Sequence, residues 1–363
     1  MIEKEDKMHI IPIVKVVSET CNLRCIYCYY RDGNQNKIQL MSYNVLTELI
    51  KKTILEIRNR ITFIWHGGEP LLAGRSFYQD ILDIQSKYKE DNRKVINGVQ
   101  TNGIVLDGRW AEFFFENHFR VGVSCDGPKK YNDKNRLLAN GLSSFDRVYK
   151  GMRDLKRFNL DPHVISVITR SSLEGAREIY EFFRDNQLSF HPKPCSESGR
   201  NGLPAEYSIN PDEYTDFMIE IFDLWWKDDN PRIKIRNLFN ILIGLRGGRP
   251  NLCESNGDCH LFLTVEPNGD VGPCDSFLTG KYLFGNIEKQ SWKEILNGPV
   301  YKKYLEDIEY SRRFCNGCEW LSVCNGGCLR YSFDGNQDKW IKNQFCESKI
   351  RLFKYIKERI CAR

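Results

Sequence analysis

The sequence of this 363-residue chain lacks the features that would place it in a membrane, in the export pathway or on nucleic acid. No apolar run approaches the ~18 residues that a membrane-spanning helix needs, and no long apolar segment follows the charged residues 1–7. The 53 Lys and Arg against 48 Asp and Glu give a net charge of +5 without a basic block, which argues against a dedicated nucleic-acid surface. We therefore expect a cytoplasmic protein that binds neither a membrane nor nucleic acid.

Cysteine is abundant instead, with 14 residues. Disulfides seldom persist in a reducing compartment, where clustered cysteines more often bind metal or take part in catalysis. Ten of the cysteines lie after residue 194, and eight of these fall between residues 253 and 346. We therefore interpret the clustered cysteines as metal ligands, and Cys125 and Cys195 as small buried hydrophobic residues.

The first two thirds of the chain alternate strand patterns with helical patterns. Strands are predicted over residues 10–17, 61–65, 95–100, 120–124, 163–169 and 189–193, and helices over residues 43–58, 75–88, 108–117, 144–158, 173–186 and 212–226. This alternation predicts a parallel α/β sheet. Six units are fewer than the eight of a closed barrel, so the sheet is either an open doubly wound layer or a barrel left open on one side.

The remainder of the chain has a different composition. Gly, Asn and Cys become frequent from residue 244 to 346, and helical character is predicted to return only at residues 348–360. Because this segment is poor in aliphatic residues, we expect bound metal to stabilise it. We predict a barrel over residues 8–235, a small Cys-rich domain over 236–346 and a C-terminal helix over 347–363.

Four unusual segments follow the first four predicted strands, at residues 21–28, 66–70, 101–103 and 126–128. The carboxyl ends of parallel strands meet at one edge of a sheet, where α/β proteins place their sites. The first segment holds Cys21, Cys25 and Cys28. Structural zinc and ordinary four-iron clusters use four ligands, so three cysteines leave one metal position open. A zinc site completed by a distant histidine or cysteine, or three buried core cysteines, is the alternative.

These three cysteines, with Gly-Gly-Glu-Pro after the second strand, resemble those of radical S-adenosylmethionine (SAM) enzymes. The resemblance implies a partial (β/α)6, TIM-like barrel and a [4Fe-4S] cluster whose open iron chelates the amino and carboxylate groups of SAM. It further implies that SAM is contacted by Tyr27, Gly67, Gly68, Glu69, Pro70, Ser124 and Asp126. Glycines let the backbone approach a ligand and the glutamate can accept from the SAM ammonium. For Ser124 and Asp126, ordinary turn chemistry is the alternative.

The later cysteines follow the order Cys-x9-Gly-x4-Cys, Cys-x2-Cys-x5-Cys-x3-Cys and a last Cys, with one more cysteine ahead. This order resembles the SPASM extension of radical SAM maturases, although zinc ribbons also contain Cys-x2-Cys. Resemblance to anaerobic sulfatase maturases implies a first auxiliary [4Fe-4S] cluster on Cys253, Cys259, Cys274 and Cys328, and a second on Cys315, Cys318, Cys324 and Cys346. Three [4Fe-4S] clusters are therefore expected.

The resemblance also implies the chemistry. The reduced first cluster passes one electron to SAM, and the resulting 5′-deoxyadenosyl radical takes a hydrogen atom from an unactivated carbon, after which an auxiliary cluster accepts a second electron. Asp275, beside Cys274, matches the general base of sulfatase maturases, although a carboxylate there also fits a solvated turn. Tyr30 and His66 match a Tyr and a Gln near that base. His66 differs from that Gln, because imidazole can take a proton near neutral pH.

Three further motifs, at residues 66–74, 100–103 and 121–124, look more like those of peptide-cyclising SPASM maturases. We therefore predict a radical SAM/SPASM maturase that forms a cyclophane-type carbon–carbon cross-link in a ribosomally synthesised peptide. The alternatives are a sulfatase maturase converting Cys or Ser to formylglycine, a SPASM dehydrogenase acting on a small molecule, and a non-catalytic zinc or iron–sulfur protein. The expected partners are a precursor peptide or protein and an electron donor such as flavodoxin or ferredoxin. Because the chain starts close to the barrel, we expect leader docking to need another site or a separate protein.

Overall fold

The computed structural model describes residues 9–30, 39–57, 60–90, 93–196, 205–277 and 281–362. Its centre is a nine-stranded sheet with the order β6-β5-β4-β3-β2-β1-β7-β8-β9, in which β1 to β6 pair in parallel. These six strands are β1 Ile11–Lys15, β2 Ile61–His66, β3 Val95–Thr101, β4 Arg120–Ser124, β5 His163–Ile168 and β6 Phe190–Pro194. Strands that follow one another in the chain lie side by side, so the sheet is an open barrel and not a doubly wound layer. The partial-barrel prediction is confirmed.

Helices connect these strands, and local sequence signals explain where they begin. In α1 the Ser42 side chain accepts a hydrogen bond from the Val45 N–H at 3.2 Å, while one apolar stripe of the helix is buried. In α7 a capping box joins Asn210 and Glu213. The barrel helices are α1 Tyr43–Glu56, α2 Gly74–Tyr88, α3 Gly108–Glu116, α4 Lys129–Asn135, α5 Phe145–Arg157, α6 Ala176–Asp185 and α7 Pro211–Asp228. The short helix α4 was not predicted.

The sheet continues beyond the barrel into the Cys-rich segment. Strand β7 Phe262–Val265 pairs in parallel with β1, and β8 Asp270–Gly272 and β9 Gly285–Asn286 follow in antiparallel pairing. The central strand β1 therefore has a barrel strand on one side and a strand from the Cys-rich segment on the other. The two predicted domains share one sheet.

Helices also occur between the barrel and the chain end, so the prediction that helical character returns only at residues 348–360 is wrong. They are α8 Arg236–Leu245, α9 Cys253–Asn256, α10 Trp292–Asn297, α11 Pro299–Ser311, α12 Leu321–Cys324 and α13 Cys346–Cys361. In α11 the only buried aliphatic residue is Ile308, and the other buried positions hold Tyr301, Tyr304, Asp307 and Ser311, which give a weaker helical signal than an aliphatic stripe. A two-stranded hairpin, β10 Phe333–Asp334 and β11 Lys339–Trp340, completes the elements.

Aromatic side chains form the core of the Cys-rich segment. The rings of Tyr282 and Phe284 pack against Tyr304 with centroids 5.1 and 5.2 Å apart. Phe333 and Trp340 form a second contact at 5.2 Å. Such rings bury large apolar areas, so this segment has a hydrophobic core of its own in addition to its predicted metal sites.

The C-terminal helix α13 packs against α7 of the barrel. The Thr215 hydroxyl donates to the Ser348 carbonyl at 3.1 Å, and Arg351 pairs with Asp216 at 2.6 Å. Across the described ranges, every helix is too short or too polar to cross a lipid bilayer.

Candidate active site

The loop that follows β1 carries Cys21, Cys25 and Cys28 at the carboxyl end of the sheet. The Arg24 N–H donates to the Leu137 carbonyl at 2.8 Å, which joins this loop to the chain that follows α4. The segments that follow β1 to β4 converge there, as the sequence predicts.

Gly67 and Gly68 bring the loop after β2 against the cysteine loop. A Cβ atom on Gly67, whose φ is +110°, would lie 2.7 Å from the Ser18 carbonyl oxygen, and one on Gly68 would lie 2.1 Å from that of Thr20. The Gly68 N–H donates to the Ser18 carbonyl at 2.8 Å. The close approach that these glycines permit is therefore to the backbone of the cysteine loop.

Glu69 is fully buried and ties the loop after β2 to the loop after β3. Its carboxylate accepts hydrogen bonds from the Leu71 N–H at 3.0 Å, the Thr101 hydroxyl at 2.7 Å and the Asn102 N–H at 2.6 Å. Burial raises the pKa of Glu69 to about 7, although these hydrogen bonds oppose the shift. Pro70 begins the short 3-10 helix that follows. The predicted contact of Glu69 with SAM stays a prediction.

Asn102 makes a direct contact with one of the three cysteines. Its Nδ2 donates to Cys21 Sγ at 3.4 Å and to Asn22 Oδ1 at 2.7 Å. In the sequence, this asparagine stands out only as part of the segment at residues 101–103. The structure makes it the residue that positions Cys21 from the loop after β3.

Tyr27 and Asp126 belong to one buried network behind the cysteine loop. The Tyr27 hydroxyl donates to Asp126 Oδ2 at 2.9 Å and accepts from Arg136 Nη1 at 2.9 Å. Asp126 also accepts from Asn135 Nδ2 at 3.1 Å and from the Val167 N–H at 3.0 Å. Burial raises the pKa of Asp126, while the nearby Arg136 charge opposes that rise. Arg136, which the sequence analysis missed, thus supplies the positive charge of this network.

Ser124 ends β4 at the same rim of the sheet. It accepts a hydrogen bond from Gln100 Nε2 at 3.1 Å. Gly122 makes room for that glutamine, because a Cβ atom there would lie 2.1 Å from Gln100 Oε1. The SAM contacts predicted for Ser124, Asp126 and Tyr27 stay predictions.

The three thiols of the first loop have the chemistry expected of ligands to iron. Burial raises the pKa of Cys21 to about 12 and that of Cys28 to about 11. Both thiols also lie within electrostatic range of Cys25. A buried group of thiols is unfavourable as thiolates by itself, but a bound iron–sulfur cluster supplies the positive charge that replaces their protons. The residues present therefore fit the cluster that the resemblance implies.

Asp275 lies where the Cys-rich segment meets the mouth of the barrel. Its Oδ2 accepts hydrogen bonds from the hydroxyls of Tyr29 and Tyr30, each at 3.1 Å, and lies 3.2 Å from His66 Nδ1. Its Oδ1 lies 3.6 Å from Cys274 Sγ. Burial alone would raise the pKa of Asp275, but the His66 charge and the tyrosine hydrogen bonds lower it overall. The Asp275 carboxylate is buried, so the structure does not support the alternative in which Asp275 is a solvated turn residue.

Two residues of this group have no counterpart in the sequence analysis. Tyr29 contributes the second hydroxyl to Asp275, and its adjacency to Tyr30 was the available signal. Lys15, at the end of β1, lies 4.7 Å from the centre of the Tyr30 ring and pairs with Glu266 at 2.7 Å. A lysine within an otherwise apolar predicted strand was the signal that could have identified it.

The first four-cysteine group surrounds Cys259. This residue shares a hydrogen bond with Cys253 and lies within electrostatic range of Cys274 and Cys328. That hydrogen bond and burial raise the pKa of Cys259 well above its ordinary value. These four residues are the set that the resemblance assigned to the first auxiliary cluster, so they fit an all-cysteine iron–sulfur site.

The second four-cysteine group lines a cavity with about 520 Å³ of empty space, part of it continuous with solvent. The group consists of Cys315, Cys318, Cys324 and Cys346. Burial and the nearby Cys324 and Cys318 thiols raise the pKa of Cys315. These four cysteines thus lie together, as the resemblance implies for the second set, and their role as cluster ligands stays a prediction.

The other cysteines lie apart from these sets. Cys125 and Cys195 are buried, as predicted, and Cys361 is exposed. Within the described parts of the chain, no group of three or more His, Cys, Asp or Glu side chains stands in an arrangement that could hold a metal ion. The assignment of clusters therefore depends on the composition and grouping of the thiol sets.

Comparison with known families identifies both halves of the chain. The radical SAM superfamily model matches residues 16–183, and the model of the SPASM iron–sulfur cluster-binding domain matches residues 253–319. The second match favours iron–sulfur ligation over the zinc alternatives. The cofactors of the chain are therefore SAM and iron–sulfur clusters.

Relatives are similar over nearly the whole chain. The cysteine-type anaerobic sulfatase-maturating enzyme of Clostridium novyi is 34% identical over 94% of this chain and 93% of its own length. The serine-type enzyme of Bacteroides thetaiotaomicron is 30% identical over 95% of this chain and 88% of its own. The structure of native anSMEcpe with bound AdoMet and Cp18Cys peptide matches with a TM-score of 0.88 at 30% identity, covering 97% of this chain and 98% of that one. This chain is therefore a radical SAM enzyme with a SPASM domain, and it belongs to the family of anaerobic sulfatase-maturating enzymes.

Proposed function

We propose that this enzyme oxidises a cysteine side chain of a sulfatase polypeptide to formylglycine. The observation that carries the proposal is the buried Asp275 carboxylate, which Tyr29, Tyr30 and His66 hold beside Cys274. The cysteine-type relative at 34% identity supports cysteine as the residue attacked. The cross-link that the sequence motifs favoured thereby becomes the second candidate.

In this proposal the chain binds SAM and three [4Fe-4S] clusters. Cys21, Cys25 and Cys28 hold the first cluster, and the two groups of four cysteines hold the auxiliary clusters. When bound, these groups supply a 5′-deoxyadenosyl radical that removes a hydrogen atom from carbon, and an acceptor for a second electron. The residues proposed to frame SAM are Tyr27, Gly67, Gly68, Glu69, Pro70, Ser124 and Asp126.

Asp275 is proposed to accept the proton of the substrate thiol. Two tyrosine hydroxyls and His66 occupy Oδ2, so Oδ1 is the oxygen available to take that proton. Its position beside Cys274 places the base next to the cysteine set proposed to receive the electron. Proton and electron therefore leave the substrate towards the same part of the protein.

The atoms balance as follows. The substrate Cβ loses one hydrogen atom and one electron, and the thiol loses a proton to Asp275 Oδ1, which leaves a carbon–sulfur double bond. Water then adds to that carbon, and hydrogen sulfide departs to leave the aldehyde of formylglycine. A serine substrate gives the aldehyde directly, without release of sulfur.

A side-chain cross-link in a peptide is the second candidate, and His66 is the observation that favours it. The neutral form of the imidazole next to Asp275 has a ring nitrogen that can accept a proton, whereas the nitrogen of an amide cannot. A second proton acceptor suits a reaction that also deprotonates the carbon or ring to which the new bond forms.

The test is anaerobic incubation of the iron-reconstituted protein with SAM, dithionite and sulfatase-derived peptides that differ only in Cys or Ser at the target position. Formylglycine formation predicts a product that reacts with a hydrazide reagent, together with 5′-deoxyadenosine. If the enzyme forms a cross-link, a peptide encoded beside the enzyme should lose two hydrogen atoms. That product should not react with the hydrazide reagent. SAM cleavage with no hydrazide-reactive product from either sulfatase peptide would contradict the proposed function.

A further inference from the structure

A second cavity, with about 600 Å³ of empty space, lies between the barrel, the two auxiliary cysteine groups and the C-terminal helix. Its walls come from the end of β6, from α7, α8 and α9, and from the first two turns of α13. Glu254, Lys349 and Cys324 line it, together with Tyr214 and Tyr331. The site assigned above uses none of the charged residues of this cavity.

The charges around this cavity leave a positive excess. Lys193 Nζ lies 3.3 Å from Glu254 Oε2, and His191 Nε2 lies 3.5 Å from Glu254 Oε1. His191 and Lys193 reach Glu254 from the same face of β6, because side chains alternate along a strand. Burial lowers the pKa of His191 to about 4, so the imidazole is neutral. The single negative charge of Glu254 therefore faces two lysines, Lys193 and Lys349. The Arg236 charge also reaches His191, so a positive excess remains.

Lys349 lies beside the segment that links the two auxiliary groups. Cys324 belongs to the second group and Cys328 to the first, and the short connection contains Gly326 and Gly327 at φ values of +87° and +77°. A Cβ atom on Gly327 would lie 3.3 Å from Lys349 Nζ. The lysine thus packs against the backbone that joins a ligand of one auxiliary group to a ligand of the other.

The electrostatic contacts agree with this placement. The Lys349 charge acts on both Cys324 and Cys328, and the Lys193 charge acts on Cys253 and Cys328. The Glu254 carboxylate lines the same cavity as Lys349, so an opposite charge is available to stabilise the buried ammonium. A buried charge acts more strongly than an exposed one because the surrounding dielectric constant is lower.

We propose that Lys349 is a positioning residue for electron transfer, which raises the reduction potentials of both auxiliary clusters by placing an unbalanced positive charge between the two cysteine groups. The proposal rests on the two auxiliary clusters of the proposed function. Four thiolates make an iron–sulfur site anionic, and reduction adds another negative charge. A fixed cation therefore stabilises the reduced state more than the oxidised state. Lys349 acts on the clusters and touches neither SAM nor the substrate.

The experiment measures auxiliary potentials in the full chain with Cys21, Cys25 and Cys28 all changed to Ala, so that the first cluster does not contribute. Redox titrations monitored by electron paramagnetic resonance compare this parent with Lys349→Met, which removes the charge, and Lys349→Arg, which keeps it. Lys354→Met is the matched control, because Lys354 is exposed on the same helix. We expect Lys349→Met to favour the oxidised clusters about tenfold, which is a downward shift of ~59 mV for a one-electron couple. Lys349→Arg and Lys354→Met should match the parent.

Unchanged potentials in Lys349→Met would overturn the proposal. If Lys349→Met does not retain iron, the potentials of Glu254→Gln are measured in its place. This variant removes the negative charge that balances Lys193, so the reduction potentials of the auxiliary clusters should shift upward. Unchanged potentials in Glu254→Gln would then overturn it. Iron analysis of the parent precedes these titrations, and a parent without auxiliary iron would contradict the cofactors of the proposed function.

Discussion

The two oxygens of Asp275 have different surroundings, and this difference makes a single substitution informative. Oδ2 is held by hydroxyl groups, and Oδ1 faces Cys274 Sγ at 3.6 Å. Asparagine keeps the size of the side chain and loses the basic oxygen. Positioned general bases contribute ~10²-fold or more to rate. We therefore expect Asp275→Asn to lower product formation about 100-fold and to leave cleavage of SAM to 5′-deoxyadenosine near the parental rate.

The control for that substitution is Asp338→Asn, because Asp338 is an exposed carboxylate that pairs with Lys281 on the surface. It should leave both product and 5′-deoxyadenosine unchanged. Parental product formation in Asp275→Asn would remove the carboxylate from its proposed role.

His66 offers a test of whether its contact with Asp275 needs an imidazole. Glutamine can donate a hydrogen bond to Asp275 Oδ2, whereas phenylalanine fills similar space without a donor. His66 Nδ1 lies 3.2 Å from Asp275 Oδ2 as an ion pair without hydrogen-bond geometry, and removal of one partner of a buried ion pair costs about 3–5 kcal/mol. We expect His66→Phe to lower product formation at least about tenfold, and His66→Gln to retain most of it if formylglycine is the product. Loss of product in His66→Gln as large as in His66→Phe would instead favour the cross-link, in which the imidazole takes a proton.

Sequence reasoning found the residues whose signal is local and missed those whose partners are distant. The three cysteines and the glycine pair stand in short recognisable motifs, so their positions on the rim could be predicted. Tyr29 meets Asp275, which lies 246 residues away in the chain. Arg136 meets Tyr27 across 109 residues. No local pattern contains such a pairing, because it arises only when the strands bring their ends together.

Among the elements, the loop after β2 and the loop after β1 fit together without space for a side chain. A Cβ atom on Gly68 would lie 2.1 Å from the Thr20 carbonyl oxygen and 2.5 Å from its carbon, both backbone atoms of the cysteine loop. Overpacking of this kind costs about 1–3 kcal/mol. We expect Gly68→Ala to lower stability by that amount and to release the proposed first cluster, which would leave about eight of the twelve irons of the three proposed [4Fe-4S] clusters after reconstitution.

Gly108→Ala is the matched control, because Gly108 begins α3 and has no atom within 4 Å of a Cβ position. It should keep all its iron and lose no stability, since alanine favours helix more than glycine does. Full iron content in Gly68→Ala would show that the loop after β1 can move aside.

The six barrel strands, and the barrel helices other than α4, could be predicted because each carries its own apolar period, and α1, α3 and α7 also have a capping side chain. The pairing of β7 with β1 could not, since it joins residues such as Ile11 and Phe262 across most of the chain. The helices of the Cys-rich segment were missed because that segment was judged by its few aliphatic residues. Its aromatic core, with Tyr304 at its centre, performs the packing that aliphatic side chains perform in the barrel.

At the scale of the whole molecule, the shared sheet and one buried polar contact join the two halves. Strand β1 pairs with β2 on one side and with β7 on the other. Trp292 Nε1, from the Cys-rich segment, donates to the Thr53 hydroxyl of α1 at 2.9 Å in a buried position. Separation of the halves would expose an edge of β1 and leave that indole N–H without a partner, both of which are unfavourable. The two halves should therefore unfold together.

This expectation can be measured in the chain with Cys21, Cys25 and Cys28 changed to Ala, where visible absorbance reports only the auxiliary clusters. On heating, we expect this absorbance to be lost at the same temperature as the helical circular dichroism, which is dominated by the barrel helices. A single cooperative unit requires the two losses to coincide. Thr53→Val removes the partner of Trp292 Nε1 at nearly constant volume and should cost about 1–3 kcal/mol. Because the contact joins the halves, both signals should shift to lower temperature by the same amount. Absorbance that disappears in a separate, earlier transition would show that the Cys-rich half unfolds independently, and the shared strand would then contribute little to the coupling.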